Sequence, residues 1–86
     1  MQNPDIIKAK VLKDYKLIIT FSNNEKKIFD MNPYLKYPVF KPLYNKDEFE
    51  NFSIVDGTIE WNCGADLSND TFYIRGIHFE ESLLEM

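Results

Sequence analysis

Cys63 and His78 are the two residues whose side chains could form a nucleophile and its general base. Cys63 lies in a polar stretch directly before Gly64, and His78 follows fifteen positions later. A cysteine acts as a nucleophile when a neighbouring base or cation favours its thiolate form. The chain has one cysteine and one histidine, so no second observation supports a catalytic pair. The pattern therefore favours an incidental thiol and a surface histidine, and it excludes a zinc site with three or four Cys or His ligands.

The acidic residues supply carboxylates in short runs such as Asp47-Glu48 and Glu80-Glu81. Adjacent carboxylates in a charged run usually form a solvated surface, and they act as acid and base only within a cleft. The stretch from Asp66 to Asp70 lacks the twelve-residue ligand loop of a calcium site, and three scattered glycines form no phosphate-binding loop. We therefore predict no catalytic residue, no metal site and no cofactor, and an enzyme is the less favoured class of protein.

Trp61 has a large aromatic side chain that could either contact a partner or pack in the core. It ends a predicted strand and is followed by a glycine-containing loop and Asp66. One interpretation is an exposed aromatic anchor for a partner. The other, which we favour, is a buried or half-buried indole, because one tryptophan supplies much of the apolar area that a small core needs.

These residues must be positioned by one domain, because a chain of 86 residues has no room for a second core. Its 44% apolar and 15% aromatic residues are enough to drive folding. The single cysteine cannot form an intrachain disulfide, which suits a reducing compartment. The N-terminal sequence lacks the pattern of a signal peptide, and no stretch has the roughly 18 apolar residues of a membrane span. We expect a single domain over residues 1–86, a cytoplasmic location and no membrane contact.

The net charge of −4 bears on the class of partner. A surface that meets phosphates would have to be basic against the field of the whole chain. We therefore predict no binding of nucleic acid by this chain alone.

The first thirty residues predict an antiparallel meander of three strands. Apolar residues alternate with polar ones at Ile7, Ala9 and Val11, and Asp14 favours a turn. The run from Lys16 to Phe21 is rich in β-branched and aromatic residues, with Leu17, Ile19 and Phe21 on one face. After a turn at Ser22, Asn23 and Asn24, the segment from Lys27 to Asp30 predicts a third strand.

The segment from Met31 to Phe52 predicts short helical turns that cover one face of the sheet. Its prolines rule out a central strand and a long helix. Asn32 before Pro33 is a predicted N-cap, and Asn45 or Asp47 is predicted to cap a last turn through Phe49.

The strongest local signal is Asp56-Gly57 between two alternating runs, which predicts a β-hairpin with a type I′ turn. Beyond it we expect a loop, then a short helix that begins among residues 67–70 and is ended by Gly76. The tail from His78 to Met86 carries apolar residues at helical spacing, but it is too short to be helical without packing.

The order of these short patterns resembles the small bacterial domain of unknown function 2442 family, over residues 6 to about 74. The resemblance is carried by an L-x-I-x-F strand, an F-D pair, an F-x-P-L segment, one further phenylalanine and a closing W-x-x-G-x-D-L: Leu17, Ile19, Phe21; Phe29, Asp30; Phe40, Pro42, Leu43; Phe49; Trp61, Gly64, Asp66, Leu67. Cys63 departs from the polar or proline residue expected in that loop, which argues against a shared thiol chemistry.

The resemblance implies no assigned activity. Family members are often encoded beside a second small protein, an arrangement that resembles a toxin and antitoxin pair. We therefore expect a non-catalytic interaction or regulatory module that acts with a co-encoded small protein. The alternative is a small enzyme or ligand-binding domain that uses Asp30, Asp66 and Trp61. The candidate partner- or ligand-binding residues are Asp30, Trp61, Gly64 and Asp66.

The fold class that these patterns predict is α+β, an antiparallel β-meander plus a β-hairpin with short helices packed on one face. We place Ile6, Ile18 and Ile28 on the second face of the meander, which then looks too apolar for water. A homodimer that covers this face is the expected state. The competing arrangement is a monomer in which residues 31–52 cover one face and the C-terminal segment, with Phe79, Leu83 and Leu84, covers the other.

Overall fold

Three consecutive strands form the predicted meander. The computed structural model describes residues 3–79. The strands pair antiparallel in chain order: β1 (Ile6–Leu12), β2 (Lys16–Phe21) and β3 (Lys26–Asp30). The chain reverses at Asp14 and Tyr15, each with φ of 59°, and again near Asn24, with φ of 70°. Asp and Asn adopt this left-handed region more readily than most residues, so the conformations of Asp14 and Asn24 follow from local sequence, whereas that of Tyr15 does not.

A β-bulge interrupts β1 and changes which of its residues are buried. Ile6 pairs with Phe21 and Lys8 pairs with Thr20, so Ile7 is an extra residue on β1. As a result Ile6 is 2% exposed and belongs to the core, whereas Ile7 is 56% exposed. The prediction that Ile6 lies on the second face is wrong, and so is the placement of Ile7 in the alternation of Ala9 and Val11. Strict alternation fails because the bulge shifts its phase by one residue.

The segment after β3 contains short helical turns, as predicted. Two 3₁₀ helices span Asn32–Tyr34 and Pro38–Tyr44, and helix α1 spans Lys46–Glu50. Asn45 caps α1, because its side-chain oxygen accepts a hydrogen bond of 2.9 Å from the Asp47 amide.

The predicted N-cap at Asn32 is wrong. The first 3₁₀ helix begins at Asn32 itself, with Met31 at the N-cap position and no side-chain cap. The Asn32 side-chain amide instead donates to the Asp14 carbonyl oxygen at 2.7 Å and to the Asp30 carboxylate at 2.8 Å. It therefore joins the turn between β1 and β2 to the end of β3.

The predicted β-hairpin forms a second, two-stranded sheet of β4 (Phe52–Val55) and β5 (Thr58–Trp61). Asp56 and Gly57 both have positive φ, of 51° and 79°, as a type I′ turn requires. The Gly57 carbonyl oxygen accepts a hydrogen bond of 2.8 Å from the Ile6 amide, which ties the hairpin to β1.

Helix α2 (Asn69–Arg75) begins after Ser68, whose side chain accepts from the Thr71 amide, and Gly76 ends it, as predicted. The chain then adds a short strand, β6 (Ile77–His78), to β3, giving the sheet order β1-β2-β3-β6. His78 is therefore in a strand and does not start a helical tail. Leu83 and Leu84, which that tail prediction also used, lie outside the described residues.

One core lies between the four-stranded sheet, the helical segment and the hairpin. Its buried residues are all apolar: Ile6, Leu17, Ile19, Phe21, Phe29, Met31, Leu35, Phe40, Leu43, Phe49, Ile59, Trp61, Ala65 and Phe72. Leu17, Ile19 and Phe21 are among them, as the alternation in β2 predicts. The α+β prediction is confirmed, with the helical segment on one face of the sheet. None of the helices within residues 3–79 has the length and apolar character needed to cross a bilayer.

Candidate interaction surface

Trp61 is a core residue and is 1% exposed. Its ring lies nearly parallel to that of Phe49, with centroids 6.1 Å apart. The indole Nε1–H donates a hydrogen bond of 2.8 Å to the Phe49 carbonyl oxygen, which satisfies its one polar group. The favoured core interpretation is confirmed, and in this conformation the indole offers a partner no contact surface.

Asp30 and the other predicted site residues have separate local roles. Asp30 ends β3, where its carboxylate accepts a hydrogen bond of 3.0 Å from the Asn32 amide. Gly64 lies in the tight turn after β5, has φ of 96° and donates its amide to the Trp61 carbonyl oxygen at 2.9 Å. Asp66 pairs with Glu60 at the end of the same turn. Trp61, Gly64 and Asp66 thus share one turn, whereas Asp30 belongs to the other sheet.

A groove with a volume of about 660 Å³ contains none of these four residues in its lining. It lies beside the turn between β1 and β2 and the helix α1, with Tyr15 and Phe49 among its lining residues. Two lysines, one aspartate and one glutamate line it, so its formal charge is balanced. Tyr15 is itself fixed there, because its hydroxyl donates to the Tyr44 carbonyl oxygen.

Cys63 is free and exposed in the turn after β5, and His78 is on β6 of the other sheet. Across residues 3–79, no group of three or more His, Cys, Asp or Glu side chains is arranged to hold a metal ion.

The face of the four-stranded sheet that points away from the core combines apolar residues with lysines, unlike the charge-balanced groove. Side chains of paired residues lie on the same face, so the register assigns this face its members. We call it the open sheet face, and its residues are Lys8, Lys10, Leu12, Lys16, Ile18, Thr20, Lys26, Ile28, Asp30 and Ile77.

The centre of the open sheet face is an apolar row that crosses three strands. Ile18 pairs with Ile28, and Ile28 pairs with Ile77, while Lys10 pairs with Ile18 at the β1 end of the row. Ile18 and Ile28 are partly exposed, and Ile77 is 73% exposed. The prediction that Ile18 and Ile28 lie on the second face is confirmed.

Lysines flank this row on both sides. Lys8 and Lys26 lie in one neighbouring row, with Thr20 between them, and Lys16 lies in the other. A depression of about 160 Å³ on this face is lined by Ile18, Thr20 and three of the four lysines. Four lysines and one aspartate give the face a formal charge of +3, although the net charge of the chain is −4. The face therefore attracts anionic groups against the sign of the whole protein.

The exposed Ile77 is positioned by contacts between α2 and β3. The Lys27 ammonium group donates to the Tyr73 carbonyl oxygen at 2.5 Å and lies 3.8 Å from the centroid of the Tyr73 ring. A Cβ atom at Gly76 would be 2.6 Å from the Phe72 carbonyl oxygen and 2.9 Å from the Lys27 Cβ. The close approach that glycine permits lets the chain turn directly from α2 into β6, so Ile77 reaches the sheet.

The Tyr73 hydroxyl adds a contact at the turn between β2 and β3. It donates a hydrogen bond of 2.6 Å to the Glu25 carboxylate, which also accepts from the Asn23 side-chain amide at 2.6 Å. The hydrogen bond from Tyr73 lowers the pKa of Glu25, with smaller contributions from Asn23 and the positive charge of Lys27. The same hydrogen bond raises the pKa of Tyr73. This contact fixes α2 against the sheet.

Lys8, Lys10, Lys26 and Ile77 are not among the residues that the sequence patterns indicate for binding. The alternation of Lys8 and Lys10 with apolar neighbours was visible, and it was used only to recognise a strand. Ile77 had no signal, because β6 is two residues long and its pairing depends on the position of α2.

The chain was compared with known proteins. No curated protein and no solved structure gave a significant match. A family model described as protein of unknown function (DUF2442) matches residues 6–78, which confirms the resemblance seen in the ordered motifs. The chain therefore belongs to the DUF2442 family.

Proposed function

We propose that this chain is a non-catalytic interaction module that binds a protein partner through the open sheet face. The observation that carries the proposal is the apolar row of Ile18, Ile28 and Ile77, with lysines on both sides. An apolar centre within a polar rim is the usual composition of a protein interface. Covering Ile77 in particular would remove a large, exposed aliphatic side chain from water.

The co-encoded small protein implied by the family resemblance is the partner that we propose. In a toxin and antitoxin type of arrangement, the two products act by binding each other, which requires a surface of this kind on one of them. The predicted homodimer is the competing occupant. Two open sheet faces brought together would each carry a formal charge of +3, and the repulsion between them opposes that pairing.

The alternative of a small enzyme or ligand-binding domain draws less support from the arrangement of its residues. Trp61 is buried, Asp66 lies in the turn beside it, and Asp30 binds Asn32 at the end of the other sheet. The three therefore do not surround a common groove of the described residues.

A matched pair of isoleucine variants tests the proposed function. Ile77 is 73% exposed on the open sheet face, and Ile74 is 68% exposed on α2. We expect Ile77→Glu to weaken binding of the co-encoded protein at least tenfold in a titration with purified components. Ile74→Glu should leave the affinity unchanged, because it alters a similar side chain on another surface. Equal affinities for both variants and the original chain would overturn the proposal.

Light scattering of the original chain, Ile77→Glu and Ile74→Glu tests whether the open sheet face binds a second copy of the chain. A mass near the 10.2 kDa of one chain is expected for each. A mass of two chains that returns to one chain in Ile77→Glu alone would assign the open sheet face to a second copy.

A further inference from the structure

We infer that the open sheet face accepts an acidic amphipathic helix of about three turns, with an apolar stripe flanked on both sides by Asp or Glu. This inference rests on the proposed function and adds the chemistry of the partner. Three features of the face support the acidic helix: its size, the positions of its lysines and the types of side chain that it lacks.

The size of the face suits a single helix. Four strands spaced about 4.8 Å apart make the face roughly 15 Å long in the direction of the apolar row, which crosses the strands. The five to seven residues of β1, β2 and β3 at about 3.3 Å each extend it by roughly 17 Å or more along the strands, whereas β6 has two residues. A helix is about 10 Å across and rises 1.5 Å per residue, so about ten residues laid along the row cover its length. A globular interface of standard size buries roughly 800 Å² on each partner, which is more than this face provides.

The positions of the lysines match such a helix. The row of Ile18, Ile28 and Ile77 would receive the apolar stripe. Lys8 on one side of that row and Lys16 on the other would meet carboxylates on both flanks of the helix, with the stronger attraction on the Lys8 side because Lys16 pairs with Asp30. Charge-assisted hydrogen bonds of this kind orient the helix, while the apolar contacts supply most of the affinity.

The composition of the face favours carboxylates over nucleic acid as the source of negative charge. Sheets that bind single-stranded nucleic acid present aromatic side chains on which bases stack. The ten residues that the strand register assigns to the open sheet face are Ile, Leu, Thr, Lys and Asp. Phe79, whose amide donates to the Lys26 carbonyl oxygen at the edge of this face, adds a single ring, which is not a platform for successive bases. The apolar row would lie against the phosphate backbone without a favourable contact.

A set of three synthetic peptides tests the inference with the full chain. The first is an eleven-residue peptide, held helical by a side-chain crosslink on its solvent-facing side, with leucines on one stripe and glutamates on both flanks. The second replaces every glutamate with glutamine, and the third replaces them with lysine. Fluorescence anisotropy titrations should give at least tenfold weaker binding for the glutamine peptide and no binding for the lysine peptide. Binding of the glutamate peptide should also weaken as salt is raised.

A double variant locates the binding site of the peptide. Lys8→Glu with Lys10→Glu should weaken binding of the glutamate peptide at least tenfold. Lys36→Glu with Lys41→Glu is the control, since both residues are exposed on the helical segment and the charge change is equal. Lys8→Gln with Lys10→Gln repeats the test with a smaller perturbation of the edge strand, and circular dichroism verifies the fold of each variant.

The outcomes separate this inference from the proposed function. If glutamine and glutamate peptides bind equally and Ile77→Glu abolishes both, the acidic partner is overturned and the proposed function stands. If no peptide binds, or if the lysine variants have no effect, the inference fails. The proposed function then depends on the co-encoded protein and the Ile77 and Ile74 pair alone. If single-stranded RNA binds the chain and the double variant Lys8→Glu with Lys10→Glu loses that binding, the ligand of the open sheet face is nucleic acid and the acidic helix is overturned.

Discussion

The Tyr73 hydroxyl donates a hydrogen bond of 2.6 Å to the Glu25 carboxylate, which joins helix α2 to the turn between β2 and β3. Because the bond favours ionised Glu25 and neutral Tyr73, the pKa of Glu25 falls below its ordinary value of 4.5. The pKa of Tyr73 rises above 10.0 for the same reason.

These two shifts predict how the contact affects stability as pH changes. The contribution of Glu25 is present above its unfolded pKa and is lost as pH falls through the lower folded value. The contribution of Tyr73 is present below its unfolded pKa and is lost as pH rises through the higher folded value. Tyr73→Phe should therefore lower the free energy of unfolding more at pH 7 than at pH 3, and it should raise the pKa of Glu25 in an NMR titration. Tyr37→Phe, at an exposed ring, is the control, and equal losses at both pH values would contradict the prediction.

Neighbouring residues on β2 should differ sharply in their contribution to stability. Ile19 is buried in the core and Ile18 is partly exposed on the open sheet face. We expect Ile19→Ala to cost about 2–5 kcal/mol of unfolding free energy in urea denaturation, because it removes buried methyl groups and leaves a cavity. Ile18→Ala should cost less than about 1 kcal/mol. Similar costs for the two would mean that the open sheet face is covered in the free protein.

Alanine substitutions at Gly57 and Gly64, which both have positive φ, should distinguish the cost of backbone strain from the cost of a steric clash. An added Cβ at Gly64 meets nothing within 4 Å, whereas one at Gly57 would lie 2.5 Å from a carboxylate oxygen of Asp5. Gly64→Ala should cost about 1–2 kcal/mol from backbone strain alone. Gly57→Ala should cost more, since the Asp5 side chain must also move.

A double-mutant cycle with Asp5→Gly isolates that second contribution. Removing the Asp5 side chain should bring the cost of Gly57→Ala down to that of Gly64→Ala. Additive effects of Asp5→Gly and Gly57→Ala would show that the contact with Asp5 is relieved without cost.

Trp61→Phe should destabilise the chain, because it removes a buried hydrogen-bond donor and leaves a cavity beside the smaller ring. Without the indole Nε1–H, the Phe49 carbonyl oxygen loses its donor inside the core. The expected cost is about 1–3 kcal/mol, measured by urea denaturation followed by circular dichroism. Phe52→Leu is the comparison, because Phe52 contacts the same indole edge-on and forms no hydrogen bond with its ring. An unchanged stability for Trp61→Phe would imply that water replaces the indole donor.

The parts of the fold that depend on local chemistry were predictable from the sequence. Asp56-Gly57 encodes its own turn, and Asn45 encodes the start of α1, because each effect acts within three or four residues. The family match over residues 6–78 was also visible in the order of short motifs.

The features that depend on distant contacts were not predictable in the same way. The bulge at Ile7 reverses the faces expected for Ile6 and Ile7, since the Ile6 amide is fixed by the Gly57 carbonyl oxygen from another sheet. Asn32 binds Asp14, eighteen residues away, and so does not cap its own helix.

Two of the three residues in the apolar row of the candidate site were predictable from the sequence. Ile18 and Ile28 follow from alternation along two strands, whereas Ile77 joins them only because α2 is held against β3. The sequence therefore indicated an apolar second face, but it did not indicate that Ile77 completes the face at its edge or that lysines flank its apolar row.

The burial of the single tryptophan gives the chain an optical property of practical use. Trp61 lies among Phe49, Phe52 and Phe72 in the core, and none of the four belongs to the open sheet face. Its fluorescence should report the loss of tertiary structure and be nearly insensitive to a ligand that covers the lysines and isoleucines of the sheet. A partner without tryptophan could thus be titrated through its own dye label, while the intrinsic emission records in the same cuvette whether each variant is still folded.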